Sequence, residues 1–415
     1  MRKVVEIVGS LAVGGAERVA LEVAAGLGAR HRADWHSELW VLGPADSSAT
    51  GYARTIQSEA EKRGVPVRRL TFISLRDRAT RSRLSAALKA EGVDLVHVHN
   101  RPQDWQVVAL CRALGIPVLY TIHLSYPHEH WKTRLLYGAV ARSVPRLVCV
   151  SKSVARHVEK MEFVEPLKVR VIYNGIRMDV FAPSSAERRA AKRAELGWPS
   201  DRFVWLCAAR LNSQKGHEYL LQAMARLPAS SRALLALAGD GPKEAELKAE
   251  AARLALGDRV SFLGARSDVA ELLGAADGYA SASRQEGHPL SLLEAMACML
   301  PVVAPRLAPM EEIACNGAPV FFGPSIEGWA NEHDPGLLAE ALLSVERDPA
   351  RSATTGRARA HVAEKFSLDG MIDQHAALYG EILDAEDARP WAELRHVVTS
   401  WLGKRLSGPG ADPAP

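Results

Sequence analysis

The 415-residue sequence is poor in the features that mark the special classes of protein. It has no uncharged apolar run near the ~20 residues that span a bilayer; the longest candidate is Ala295 to Pro305, so contact with a membrane is expected only from the surface. Its N-terminus, MRKVVEIVGS, passes straight into a strand pattern without the cationic segment, apolar stretch and cleavage site of a secretion signal, and a cytoplasmic chain is expected. Five cysteines, Cys111, Cys149, Cys207, Cys298 and Cys315, are odd in number and mostly sit in apolar runs, which suits buried thiols better than disulfides or zinc. The 52 basic and 48 acidic residues nearly cancel, leaving no general reason to expect nucleic acid as a partner. No repeat of solenoid or propeller length occurs. Gly-x-Gly-x-x-Gly is missing, and the second strand ends in LWVLGP without an acidic residue, so a nicotinamide or flavin site fits poorly. Asp-x-Asp is missing too, and with it the usual carboxylate clamp for a divalent cation on a nucleotide diphosphate.

What is present is an ordinary apolar content, 47%, arranged in a regular rhythm. At about 100 to 200 residues per domain the chain is expected to hold two or three domains, each large enough for its own core. Short runs of Val, Ile and Leu alternate with stretches of helical spacing, which predicts parallel sheets covered by helices. In the first half the strands are expected at Lys3 to Val8, Ser37 to Leu42, Val67 to Leu70, Leu95 to Val98, Val118 to Ile122, Leu147 to Val150 and Val169 to Tyr173. The rhythm breaks at NGIRMDVFAP, Asn174 to Pro183, where a hinge is expected. A second series follows at Phe203 to Ala208, Leu234 to Ala238, Val260 to Leu263, Gly278 to Ala280, Val302 to Ala304 and Val320 to Phe322. The pattern is helical from Pro349 to Asp384, and the tail GPGADPAP is too rich in Gly and Pro to be ordered. Ligands of doubly wound sheets sit at the carboxyl ends of the strands, so chemistry is sought in the loops that follow them.

Three such loops carry it. After the first strand, Gly14 and Gly15 stand just before a helical stretch, where glycine admits close approach and the helix N-terminus attracts phosphate; a tight strand-to-helix turn explains the same glycines. AARLNSQKGHEYL places Arg210 and Lys215 on one short loop, where a fork and a point charge can converge on a diphosphate, or can form a solvated basic loop. In SASRQEGHPLSLLEAMACMLPVVA, Glu286 follows a strand, and Pro289 suits the first position of a helix. The amides of Leu290, Ser291 and Leu292 are then expected to point unpaired into the cleft, with Glu294 one turn on. The two carboxylates are not an i, i+4 pair, which suits two separate hydroxyl-bearing parts of one ligand.

With these loops in place, the chain resembles the family-4 retaining glycosyltransferases of the GT-B fold. The resemblance rests on E-x7-E at Glu286 and Glu294, on Arg210 with Lys215, and on VGGAER. DLVHVHN, TIH ending at His123, VCVSKSVARHV, VIYNGI and AGDGP stand in the family's order, so that residues 1 to 385 are covered. It implies two Rossmann-like doubly wound domains facing across a cleft: an acceptor domain at 1–180, a donor domain at 181–368, and a crossover helix and tail at 369–415 that return to the first domain. It also implies that Glu294 holds the ribose hydroxyls of a nucleotide sugar and that Glu286 contacts the donor sugar, with the amides and side chains around His288, Pro289, Leu290 and Ser291. Arg210 and Lys215 neutralise the diphosphate, helped by the backbone at Gly14 and Gly15, and His123 lies beside the reacting sugar. His97 and His99 alternate along one strand, so at most one is expected at the cleft, and neither is counted in the site.

The implied activity is retaining, metal-independent transfer from a nucleotide sugar, a UDP-sugar favoured, to a polysaccharide, lipid-linked or small-molecule acceptor, with no cofactor. Base, sugar and acceptor are not written in the sequence. Another sugar-nucleotide or sugar-phosphate enzyme of the same fold, an epimerase or phosphorylase, and a catalytically silent binder are the alternatives. Two departures stand out: Met299 where the family ends its helix with glycine, and Ala308 and Pro309 in APRLAPMEEI where it has a Gly-Gly turn. Residues 121–160 carry seven basic against two acidic residues, and 68–89 seven against one. Both are expected as solvated faces or as peripheral contacts with an anionic membrane or a phosphate-bearing acceptor. The late amphipathic segment WAELRHVVTSWLGKRL is expected to pack back on the body.

Overall fold

Two parallel sheets, each covered by helices, form the protein. The first contains β1 (Arg2–Val8), β2 (Trp35–Leu42), β3 (Val67–Leu70), β4 (Leu95–His99), β5 (Val118–Ile122), β6 (Arg146–Cys149) and β7 (Val169–Val171) in the order β3-β2-β1-β4-β5-β6-β7. The second contains β8 (Phe203–Ala208), β9 (Ala233–Ala238), β10 (Val260–Gly264), β11 (Gly278–Ala280), β12 (Val302–Leu307) and β13 (Val320–Ile326) in the order β10-β9-β8-β11-β12-β13. The computed structural model describes residues 1–9, 14–43, 51–70, 78–99, 104–124, 138–162, 164–315, 318–326, 330, 332–348 and 350–385. The late amphipathic segment and the Gly/Pro tail therefore lie outside the described residues, as do 71–77 and 125–137 of the two basic stretches.

Every strand named from the sequence is found, with ends displaced by a few residues at most. The reason is burial on both faces: β4 and β5 are buried along their whole length, which writes them as continuous apolar runs. Edge strand β3 instead carries Arg68 and Arg69 and is only partly buried, which protects its open side from pairing. In each sheet the strand order reverses once, between β1 and β4 and between β8 and β11. Those reversals open crevices at the strands' carboxyl ends.

The linker between the sheets is pinned to residues 366–368. Ile176 N–H donates to the Phe366 carbonyl (3.0 Å) and Leu368 N–H to the Ile176 carbonyl (3.0 Å). The last described helix, Leu368–Asp384, then lies on the first sheet beside the Gly15–Arg30 helix. Its Met371, Ile372, Tyr379 and Ile382 complete a core with Val4, Val19, Val23, Leu95 and Leu119. Met299 adopts φ +60°, the left-handed conformation in which the Leu290–Ala297 helix is brought to its end and which ordinarily favours glycine. Four cysteines are buried and Cys315 partly so, and all five are free thiols. No helix among the described residues is long and apolar enough to cross a membrane.

Candidate active site

On the second sheet, the site is built from loops held against one another. After β8 the chain runs through Arg210 into a short 3-10 turn, Ser213–Lys215, whose start is capped by the Asn212 side chain accepting from Lys215 N–H (3.2 Å). Leu211 N–H donates to the Asp240 carbonyl (2.8 Å), tying this loop to the AGDGP turn after β9. Gly216 ends the turn at φ +61°, and a Cβ there would overlap the carbonyl oxygen of Ala282. The Arg–Lys loop is thereby pressed onto the loop after β11, where Gln214 Nε2 donates to the Gln285 carbonyl (3.1 Å) and Arg284 N–H to the Gln214 carbonyl (2.7 Å). The result is an ion pair, Lys215 Nζ to Glu286 Oε1 at 2.6 Å, with Glu286 only 10% exposed. Arg210 is exposed and makes no ion pair among the described residues.

The next segment crosses to the first sheet. A Cβ on Gly287 would overlap the backbone oxygen of His123, so only glycine lets these two backbones touch. The His288 ring turns into the hinge between Tyr173 and Phe366, with centroids 5.1 and 5.2 Å away, and its carbonyl accepts from Asn174 Nδ2 (2.9 Å). Burial lowers its imidazole pKa to about 3, so the ring is neutral. Pro289 is a correction to the sequence reading: it occupies the capping position with ψ 109°, and the helix begins at Leu290. No side chain caps this end, so the early amides, Leu290, Ser291 and Leu292, have no side-chain acceptor. Leu290 reaches over Gly15, coming within 3.8 Å of where that residue's Cβ would stand. Gly14 precedes the Gly15–Arg30 helix in extended conformation, also without a side-chain cap.

Glu294 stands apart from Glu286. It lines a shallow pocket together with Arg18, Glu22, Ile176, Arg177 and Phe181. Burial raises its carboxyl pKa; Arg18 opposes the shift and Glu22 adds to it. Arg18 lies over the Phe181 ring at 5.9 Å. The structure thus brings Lys215, Glu286 and the His123 backbone together, sets Glu294 in an adjoining pocket with Arg18, and joins the two through the start of the Leu290–Ala297 helix.

The first sheet contributes a buried polar net that sequence reasoning missed. His97 and His99 do not alternate between faces: residues two apart on a strand share a face, and their rings lie 4.1 Å apart. His123 Nε2 meets His99 Nδ1 at 2.9 Å, and His99 Nε2 meets Glu6 Oε2 at 2.7 Å. His97 Nδ1 is 2.8 Å from the same oxygen, its Nε2 is 2.6 Å from Thr121 Oγ1, and Tyr379 O–H donates to Glu6 Oε1 (2.8 Å). Burial alone would raise the carboxyl pKa of Glu6, but His97 and His99 beside it hold it well below the usual range, as an anion. Burial lowers the pKa of His97 and His123, and that of His99 to about 4, so these rings are neutral. The signal was a single charged residue in the apolar strand VVEIV; nothing local marks Tyr379. Glu6, His97 and His99 offer ligand atoms within 4.8 Å of one another, a spacing that suits a metal, yet each already takes part in this hydrogen-bond net.

A second missed residue is Glu312, beyond the departed Gly-Gly position. It accepts from Lys152 N–H (2.7 Å) and Ser153 N–H (2.6 Å) at the start of the Lys152–Glu162 helix, and from Tyr173 O–H (3.0 Å). A carboxylate from the second sheet therefore caps a helix of the first.

Comparison with known proteins agrees with this architecture. Residues 13–194 match the family described as Glycosyltransferase Family 4, and residues 188–361 match Glycosyl transferases group 1. The D-inositol 3-phosphate glycosyltransferase of Saccharomonospora viridis is 30% identical over 317 residues, 70% of this chain and 71% of the relative. The UDP-Gal:alpha-D-GlcNAc-diphosphoundecaprenol alpha-1,3-galactosyltransferase of Escherichia coli is 27% identical over 305 residues, 70% and 76% of the two chains. The crystal structure of Anabaena HepE in complex with UDP-glucose superposes with a TM-score of 0.77 at 22% identity, over 92% of this chain and 100% of that one, a likeness of fold. With two parallel sheets meeting at their carboxyl ends and both halves of the chain matched, the protein belongs to the family-4 glycosyltransferases of GT-B fold.

Proposed function

We propose that this chain is a retaining, metal-independent glycosyltransferase that moves a sugar from a UDP-sugar to a hydroxyl of a polysaccharide, lipid-linked or small-molecule acceptor. The observation that carries the reading is the Lys215–Glu286 pair at 2.6 Å, at the carboxyl edge of the second sheet, beside the His123 backbone. The E. coli relative is named for UDP-Gal and HepE was crystallised with UDP-glucose, which favours uridine as the base. The donor half is taken as 181–368 and the acceptor half as 1–180. Membership of a transferase family disfavours an epimerase or phosphorylase, and the assembled Lys215–Glu286 pair disfavours a silent binder.

As the sugar leaves, negative charge grows on the diphosphate. Lys215 and Arg210 oppose it, each by about 4 kcal/mol at 4 Å in an effective dielectric near 20 before desolvation is subtracted. The amides that start the Leu290–Ala297 helix and the backbone at Gly14 and Gly15 add donors without a metal. Glu286 keeps one oxygen beyond Lys215 for a donor-sugar hydroxyl, and Glu294 takes the ribose hydroxyls. Glu6, linked to His123 through His99, is fully buried and cannot reach an anomeric carbon as a nucleophile. That supports attack on the leaving group's own face through an oxocarbenium-like state.

A thermal-shift screen with UDP, GDP, ADP and their common sugars should give its largest rise with a UDP-sugar, because a ligand of the native state alone raises Tm. Nucleoside diphosphate should then be released only when an acceptor is present, and the product's anomeric configuration should match the donor's. EDTA should leave the rate unchanged; loss of activity restored by magnesium or manganese defeats the metal-free mechanism. Salt-sensitive co-sedimentation with anionic vesicles tests peripheral contact of a cytoplasmic enzyme through the basic stretches.

A further inference from the structure

The net behind His123 has a direction. Glu6 is 0% exposed, and its two oxygens face three donors, Tyr379, His97 and His99. A buried carboxylate that accepts several hydrogen bonds stays ionised, so the nitrogen of His99 that faces it, Nε2, must carry the proton. A neutral imidazole has one N–H, and His99 Nδ1 is then a bare acceptor. Among the described residues the partner of that acceptor is His123 Nε2 at 2.9 Å, which must therefore donate. His123 Nδ1 is left without a proton and, among the described residues, without a partner. Each proton position follows from the one behind it, back to a carboxylate two residues removed.

We propose that Glu6 and His99 are positioning residues of the transferase site: together they lock His123 in the Nε2–H tautomer and present its Nδ1 as a fixed acceptor to the donor sugar. This rests on the reading that His123 lies beside that sugar. His97, hydrogen-bonded to Thr121 as well as facing Glu6, and Tyr379 of the final helix hold the carboxylate in turn. Outer partners of this kind typically change activity by about 10 to 100-fold when removed, as they do for metal-bound histidines.

The test is ring-nitrogen NMR on the full-length protein labelled with 15N-histidine, the His123 signals being those missing from His123→Gln. In the wild type, His99 and His123 should both be single Nε2–H tautomers. Glu6→Gln should turn His123 into a tautomer mixture. Its kcat, measured with the nucleotide sugar that raises Tm most, should fall about 10 to 100-fold while the donor KM stays within about 3-fold. His99→Asn, whose Oδ1 can take the place of Nδ1 as acceptor, should keep more kcat than His99→Leu. If Glu6→Gln does not fold, the wild-type tautomer and the His99 pair decide. His123 found as Nδ1–H overturns the proposal; so does a His123 signal unmoved by both Glu6→Gln and His99→Leu. A metal bound by Glu6, His97 and His99 would take His99 Nε2, reverse the chain of protons and give that same overturning signature. Near-normal turnover of His123→Gln removes the placement of His123 at the sugar. Loss in His123→Gln with full turnover in Glu6→Gln removes the positioning role alone.

Discussion

Glu6 and Glu294 are buried carboxylates on opposite walls of one cleft, and their surroundings differ at every point. Glu6 comes from the middle of a strand and accepts from Tyr379 and His99, with His97 Nδ1 2.8 Å away and 2.6 Å from the Tyr379 hydroxyl. Glu294 comes from a helix after a loop, and no hydrogen-bond donor reaches it among the described residues; Arg18 and Glu22 act on it only through their charges. The wall of the first sheet thus spends its polar atoms on one another up to a single acceptor, His123 Nδ1, which it leaves open among the described residues. The wall of the second sheet keeps its carboxylate oxygens and helix amides available, and fixes them by backbone contact at Gly216 and Gly287. A wall that satisfies itself orients; a wall that leaves groups available binds.

The sharpest way to break this comparison is to remove the cation that is paired with Glu286 on the binding wall. Lys215→Ala is expected to lower turnover by about 10² to 10³-fold, the scale of losing a transition-state donor, with the fold retained by circular dichroism. Near-normal turnover would mean that the pair with Glu286 is structural. Gly287→Ala forces the two walls apart where the new methyl meets the His123 carbonyl. A misplacement of about 1 Å should cost around 10²-fold in rate, so an unchanged rate would show that the walls need not touch.

Acid should act on both walls through their buried histidines, and oppositely at Glu294. Burial lowers the pKa of His99 and His375 to about 4 and of His217 and His288 to about 3, and lowers that of His97 and His123 as well. A lowered histidine adds stability that is present above its unfolded pKa, near 6.5, and is lost as pH falls toward the folded value, by up to ~1.4 kcal/mol per pH unit for each ring. Urea midpoints should therefore drop steeply between about pH 6.5 and 4; a flat profile would contradict neutral buried rings. The smallest effect is expected at Glu294, whose raised pKa has the opposite sign. Its contribution is full below the unfolded carboxyl value and lost as pH rises through the folded one. Glu294→Gln should raise Tm by roughly 2 °C at pH 8, with the gain vanishing toward pH 4, while weakening nucleotide binding.

Much of this was legible in the sequence because parallel strands buried on both faces are written as continuous apolar runs, as VLYTI and VWLC are. The placement of Lys215 and Glu286 on loops that follow strands, and of Glu294 on the helix after the second loop, was legible too. The buried net was not. Glu6, His99 and Tyr379 lie in separate elements up to 373 residues apart, and hydrogen bonds across a sheet leave no spacing in one dimension. His97 and His99 were within reach of a correct period-2 reading, which puts both on one face. Pro289 was misplaced by one position, the ordinary margin for a helix end. Glu312 could not be anticipated, because the helix it caps belongs to the other sheet.

The packing of the final helix on the first sheet also sets a timetable. Val4, Val19 and Leu95 are covered by Met371, Ile372 and Tyr379, and Glu6 receives one of its donors from the same helix. During synthesis those partners emerge about 370 residues later, roughly 20 to 70 s at ordinary translation rates. The half of the protein made first is therefore the last to be sealed, and a ribosome that stalls before residue 368 leaves behind a nascent chain with one face of its oldest sheet incompletely covered.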